Sequence, residues 1–304
     1  MRRAGPVAPP RRLAVIDAAR GLALCGMVAF HADWDLAYGG WIASGPAESP
    51  VWSLFGQCVA VTFLALSGYS LVLARDRGLR AAVTRIGRVA AAAMLITGVT
   101  GWLFPQDVVT FGILHCIALS SLLALPLRRA PVAAVLGVAL LCLLAPRMWS
   151  TAALDGPLWA WLGLGLSPPR TLDYRPLLPW MGAVLVGMAT ALSPLPRPGR
   201  RIRTPAGRSL AVLGRHSLLI YCLHQPLLFG LVMLASWLHV APLGQARDTS
   251  RQCATRCVAE GAGEAGCMAA CRCLLARPVP EPGVCLAPSV PEPFRDATQP
   301  EAQP

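Results

Sequence analysis

Stretches of about 17 or more mostly apolar residues recur seven times along this chain, each long enough to cross a bilayer as an α-helix. They lie at about 13–32, 51–74, 82–104, 108–127, 130–146, 176–194 and 209–238. Only 14% of residues are charged, and a mean hydropathy of +0.54 is too high for a soluble globular domain. The expected fold class is therefore all-α: a polytopic helical membrane protein with about seven transmembrane helices.

The net charge of +12 invites a nucleic-acid reading, but its distribution argues against one. All 27 basic residues are arginine. With the N-terminus inside, the cytoplasmic stretches hold Arg2, Arg3, Arg11 and Arg12, then Arg75, Arg77, Arg80, Arg85 and Arg88, then Arg128 and Arg129, then Arg197, Arg200, Arg201, Arg203 and Arg208. The loops on the other side hold only Arg147, Arg170 and Arg175. This is the positive-inside asymmetry, and it predicts the orientation. It leaves room for an anionic cytosolic ligand near 75–88 and 197–208. Residues 1–12 read as a disordered basic arm. The segment after it is longer than a signal-peptide core and lacks a small-residue cleavage site, so it is expected to be retained.

Seven spans place the C-terminus outside. Of eleven cysteines, five (Cys25, Cys58, Cys116, Cys142, Cys222) lie within apolar spans, where a thiol acts as a small hydrophobe. The other six crowd into the tail: Cys253, Cys257, Cys267, Cys271, Cys273 and Cys285. That density fits an oxidising compartment such as the bacterial periplasm. Two Cys-x3-Cys pairs suit a helical hairpin at 241–277; of the 15 connectivities six cysteines allow, such a hairpin would use Cys253 to Cys271 and Cys257 to Cys267, with zinc binding as the rival. The Pro-rich residues 278–304 should be disordered.

Three places in the membrane domain, 13–240, carry polar chemistry. In the first span, Asp17, Arg20 and His31 share one helix face. Arg20 and His31 have ten residues between them, which puts them within about 20° in azimuth and roughly 16 Å apart along a helix. A buried arginine costs around 3 kcal/mol at a helix centre, and pairing with Asp17 lowers that cost. His31 falls at the outer end, before a loop at 33–50 carrying Asp33, Asp35 and Glu48, and a carboxylate there would raise its basicity. His115, in FGILHCIALSS, lies about two turns below the outer surface. The last span reads GRHSLLIYCLHQP. Ser217, Tyr221 and His224 follow at i, i+4 and i+7, with Gln225 beside Pro226 and Arg215 and His216 at the cytoplasmic mouth. Polar groups at several depths of one helix predict a lined cavity. DYRPLLPWMG places Arg175 and Trp180 at the outer rim, where Arg175 would pair with Asp173 or meet an anionic or sugar-like acceptor.

The first-span Asp, Arg and His, FLALSGYSL, FGILHCIALSS, DYRPLLPW and GRHSLLIYCLHQP together resemble bacterial relatives of the heparan-α-glucosaminide N-acetyltransferase catalytic domain, over most of residues 12–230. The Arg-x10-His spacing also resembles that of the wider membrane acyltransferases that decorate envelope polysaccharides. The resemblance implies acyl transfer from a cytosolic acyl-CoA, acetyl-CoA first among them, to an envelope glycan or small-molecule acceptor, without a metal. It implies His31 as general base or acyl carrier and Arg20 as partner to the donor. His115 and His224 are further catalytic candidates, and Arg85, Arg88, Arg208 and Arg215 would hold the CoA phosphates. The lysosomal members carry their reactive histidine inside the first lumenal loop. The histidine here is His31 in HADWDL, equivalent in role rather than in position. The implied setting is the bacterial inner membrane, with the lipid bilayer as a partner, no nucleic acid, and room for a homodimer. The alternative from another class is a non-enzymatic permease or lipid carrier.

Overall fold

The computed structural model describes residues 13–39, 41–42, 49–194, 202–238, 253–255, 257–258 and 263–274, and among them the regular elements are all helical. The arm at 1–12, Glu48, Arg197, Arg200, Arg201, Cys285 and the stretch 278–304 lie outside the described residues. The helices are α1 (Ala14–Tyr38), α2 (Pro50–Leu73), α3 (Gly78–Leu103), α4 (Ile113–Leu123), α5 (Val132–Trp149), α6 (Leu177–Leu192), α7 (Pro205–Arg215), α8 (Ser217–Trp237) and α9 (Glu264–Leu274).

Among the described residues, five stretches are long and apolar enough to cross a membrane: α1, α2, Arg75–Leu103, α5 and α8. Two further apolar helices, α4 and α6, are shorter. Many of their large apolar side chains point outward, among them Leu95 and Trp102 of α3, Leu140 and Leu141 of α5, and Leu219 and Leu231 of α8. Water would penalise so large an apolar surface, whereas lipid does not. The chain is a multi-pass helical membrane protein.

Three boundaries differ from the sequence expectation. α1 runs on through Asp33 and Asp35 to Tyr38, because nothing in HADWDLAY breaks a helix before Gly39. The expected loop at 33–50 therefore begins only at Gly39. The segment at 108–127 contains only the 11-residue α4, since Gly112 starts the helix late. The last apolar stretch is two helices, broken at His216. α7 begins at Pro205, a residue suited to a first helical turn, and the Thr204 side chain accepts from the Gly207 amide at 3.3 Å.

Two compact units are present. The larger comprises residues 1–30 and 51–226, and α6 is heavily buried within it. Leu177, Met181, Val184, Leu185 and Met188 are all buried there. One side of α6 packs with Leu71, Val72, Val135, Ala139 and Cys142. The other side, through Val184, meets Ala60, Leu64, Ile113 and Cys116. α2 and α6 touch backbone to backbone: a Cβ on Gly68 would overlap the Val184 carbonyl, and one on Gly187 the Ala65 carbonyl. In lipid, where apolar burial drives helix association little, such close packing is a main source of cohesion.

The connection from α5 to α6 is a hydrogen-bonded loop. The Leu172 amide donates to the Asp107 carbonyl and the Arg175 amide to Phe111, each at 3.1 Å. Tyr174 Oη donates to the Ala160 carbonyl at 2.7 Å. Arg170 pairs with Asp107 at 2.6 Å. The Asp155 carboxylate accepts from the Ser167 amide at 3.0 Å and from the Leu166 amide.

The smaller unit comprises residues 31–50 and 227–304. The end of α1 and the end of α8 meet there: Tyr38 lies between Trp34 and Phe229, and Trp41 Nε1 donates to Ser236 Oγ at 3.3 Å. Disulfides join Cys253 to Cys271 and Cys257 to Cys267, the pairing the spacing suggests, so these four cysteines form staples and not a zinc site. They and Ala254 and Ala270 make a small core of their own.

The Ser167 amide, and after it the Leu166 amide, hold the Asp155 carboxyl below the usual carboxylate range. A carboxyl lowered on folding stabilises the loop above its unfolded pKa of about 4, and that contribution disappears as pH falls through the lowered folded value. Hydrogen-exchange protection of the Leu166 and Ser167 amides should therefore hold at neutral pH and fall away below about pH 4. Asp155→Asn, which keeps an acceptor without the titration, should flatten that pH dependence. Equal pH dependence in the variant would show that another group controls the loop.

Candidate functional site

Asp17 occupies the first turn of α1, is 5% exposed, and lies between two arginines. Arg20, one turn on, donates from Nη1 to Asp17 Oδ1 at 3.3 Å. Arg215, the last residue of α7, approaches Asp17 Oδ2 with Nε at 3.6 Å. Arg20 also donates from Nη2 to Ser70 Oγ of α2, whose hydroxyl donates to the Leu66 carbonyl at 2.6 Å. One guanidinium thus ties α1 to α2, and one carboxylate ties α1 to α7.

The tie to α7 depends on two glycines. A Cβ on Gly214 would overlap the Asp17 carbonyl, and one on Gly21 the Leu210 carbonyl. With no side chain at either crossing, α7 lies directly on α1, and the next residue, Arg215, reaches the carboxylate. The paired glycines give no sign of this in the sequence, because they are nearly 200 positions apart.

These groups border a cavity of about 760 Å³, within the range of small-molecule sites. Its charge comes from Arg20, Arg77, Arg85, Arg88 and Arg215 against Asp17 and Asp76, so three positive charges are left uncompensated on the wall. Its apolar side comes from Phe63 of α2, Ile113, Leu114 and Ile117 of α4, and Leu218 and Tyr221 of α8. Ser67, Ser70 and Ser217 add hydroxyls. An arginine-rich rim beside an apolar wall suits a ligand with phosphates at one end and an apolar arm at the other.

Several expected residues come together here: Asp17, Arg20, Arg85, Arg88, Arg215, Ser217 and Tyr221. Arg208 is not on the wall, although it lies on α7 two turns before Arg215. Ser70 and Arg77 were missed by sequence reasoning. Ser70 carries a weak signal, since it sits three residues after Ser67 in a largely apolar helix, and Arg77 lies within the basic stretch 75–88.

His115 is not on the wall. Its Nδ1 accepts from the Gly112 amide at 3.3 Å, closing the N-terminus of α4, and its Nε2 lies 3.2 Å from Thr97 Oγ1. Thr97 donates onward to the Val109 carbonyl at 2.6 Å, so the consistent tautomer carries its proton on Nε2. Asp173 Oδ2 accepts from the Ile113 amide at 2.9 Å at the same helix end. Arg175 is therefore not Asp173's partner; its guanidinium lies 4.9 Å from the ring centre of Trp180, a cation–π arrangement. His224 is buried, with Nδ1 2.7 Å from the Tyr221 carbonyl, which places the proton on Nδ1. Gln225 follows it on α8. His31 and Asp35 lie in the smaller unit, Asp35 fully buried and His31 partly so.

A protein-family profile described as heparan-alpha-glucosaminide N-acetyltransferase, catalytic, matches residues 12–226, more than half of the chain. The chain belongs to this family. It is an acetyltransferase-like membrane protein, and the matched region contains every residue lining the cavity. No curated protein and no solved structure matches it.

Removing Asp17 leaves Arg20 without its carboxylate in a mostly buried position, whereas Arg215 is about half exposed. Asp17→Ala should lower stability by about 3–5 kcal/mol. Arg215→Ala should cost about 1 kcal/mol or less. Thermal unfolding in detergent, with an Asp17/Arg20 double-mutant cycle, measures both. Equal losses for the two single variants would mean that Asp17 is held mainly by Arg215.

Proposed function

We propose that this family member moves an acyl group, acetyl in the first instance, from cytosolic acyl-CoA to an acceptor on the far side of a bacterial inner membrane. The observation that carries this reading is the cavity in which Arg77, Arg85, Arg88 and Arg215 stand beside an apolar wall. The guanidiniums would take the phosphates of CoA as two-pronged donors, and the apolar side would take its arm. The arginine distribution along the sequence supports a cytosolic mouth with the N-terminus inside. The two tail disulfides support a periplasmic C-terminus.

In this scheme Arg20, anchored on both Asp17 and Ser70, has its guanidinium fixed at the cavity wall before the donor arrives. Such preorganised positive charge favours the oxyanion that develops on a thioester carbonyl. His31 serves as general base or acyl carrier, a role that rests on its place in the Arg20-x10-His31 pattern. As base it takes the proton of the acceptor's hydroxyl or amine; the acceptor atom bonds to the acyl carbon, the carbon–sulfur bond breaks, and the CoA thiolate leaves. The geometry of His115 favours a positioning role, since it closes α4 and thereby sets Ile113, Leu114 and Ile117 on the wall. His224, braced against the Tyr221 backbone, supports a side chain that lines the cavity. Arg175 and Trp180 are kept as an acceptor-side pair, where a stacked arginine and indole suit a sugar.

Membranes containing the protein, incubated with labelled acetyl-CoA, should pass label to an envelope fraction, and His31→Ala should abolish the transfer while the protein remains folded. Full turnover in His31→Ala would remove His31 from the mechanism; acceptor movement without CoA release would favour a carrier. Arg85→Ala should raise the KM for acetyl-CoA about tenfold or more with a smaller effect on kcat, as expected for a lost charge-assisted hydrogen bond. An unchanged KM would move the phosphates away from α3.

A further inference from the structure

Part of the cavity wall is backed by filled core. Phe63, Ile113, Ile117 and Tyr221 line it and also pack against a cluster whose other members, Ala60, Leu64, Cys116 and Val184, are at most 6% exposed. That cluster is close-packed, so an object pressing past the four lining side chains meets filled space. The charged rim lies toward the other end of the same helix. From Leu73 and the adjoining Arg77 turn back to Phe63, α2 rises about 15 Å. α6 supports the floor from behind: Val184 belongs to the cluster, and its carbonyl seats Gly68 of α2, so the floor is tied to backbone and not to flexible side chains.

We propose that Phe63 and Tyr221 form an acyl-length stop that restricts this enzyme to short acyl donors, acetyl and its nearest homologues. This rests on the acyl-CoA reading above, in which acetyl is the donor the family description implies, and it adds the two residues that would enforce that choice. With the CoA phosphates on the arginines, the thioester end points toward the two rings. A short acyl group fits against their faces. Each added methylene must displace a ring that is itself packed on buried side chains, and overpacking of that kind is costly. Truncating a ring converts the stop into additional apolar space, where added methylenes become favourable.

The test is a donor series of acetyl-, butyryl- and octanoyl-CoA, with CoA release read for the wild type, Phe63→Ala and Tyr221→Ala. Wild type should prefer acetyl over octanoyl by more than a hundredfold in kcat/KM. Either alanine variant should shift the octanoyl-to-acetyl ratio toward the long chain by at least tenfold. Tyr221→Phe, which keeps the ring, should leave the ratio where it was. Phe63→Leu provides a milder opening should alanine prevent folding, and thermal stabilisation by each acyl-CoA gives a second measurement that does not depend on turnover. A wild type that uses octanoyl-CoA as well as acetyl-CoA, or alanine variants with an unshifted ratio, would overturn the length stop while leaving the acyltransferase reading standing. A wild type that neither binds nor consumes any acyl-CoA would instead remove the reading on which the stop rests.

Discussion

Asp17 is the point on which the cavity wall depends. A carboxylate 5% exposed in the first turn of an apolar helix is costly unless its charge is matched, and here two guanidiniums match it from different helices. Arg20 carries the connection on to Ser70 of α2. Arg215 can reach because Gly21 and Gly214 let α7 lie against the α1 backbone. The carboxylate therefore neutralises part of the local charge and also sets three helices in place. The remaining arginines of the wall, Arg77, Arg85 and Arg88, exceed the single further carboxylate, Asp76, so the cavity keeps an excess of positive charge for an anionic ligand.

The second organising feature is α6, where small residues take the place of a hydrophobic driving force. Gly68 and Gly187 bring α2 and α6 into backbone contact, and Val184 is then available to both the core and the floor of the cavity. Charge on one side and packing on the other give the cavity two unlike ends. That polarity is what an amphipathic donor such as acyl-CoA would use. It also explains why a phenylalanine and a tyrosine that would otherwise count as ordinary core residues become the proposed limit on acyl length.

Much of the architecture was readable from local patterns. Five of the seven expected apolar stretches contain helices long enough to cross a membrane, while those at 108–127 and 176–194 contain only the shorter α4 and α6; the Asp17–Arg20 pair was legible because helical neighbours lie three or four residues apart. The two disulfides are the pairing a hairpin of two Cys-x3-Cys helices would make, one of the 15 that six cysteines allow, and the structure selects it. Boundaries were less legible: the break at His216 lies within one continuous apolar run, and α1 outlasts its hydrophobic stretch because no residue there stops a helix. His115 looked like a candidate catalyst from its polarity alone; only its two hydrogen-bonding neighbours, Gly112 and Thr97, show it closing the end of α4.

The sequence by itself determined the class of the protein and its inventory of intramembrane polar residues, because these rest on composition, periodicity and short-range spacing; its family rests on the profile match over residues 12–226. The tertiary structure decided which of those residues share one cavity. Arg85 and Arg88 join Arg20 and Arg215 there while Arg208 does not, and Phe63 joins Tyr221 on its apolar side. The physical reason is that such groupings depend on where helices cross, and the crossings are set by distant glycines whose effect is felt only when two backbones meet.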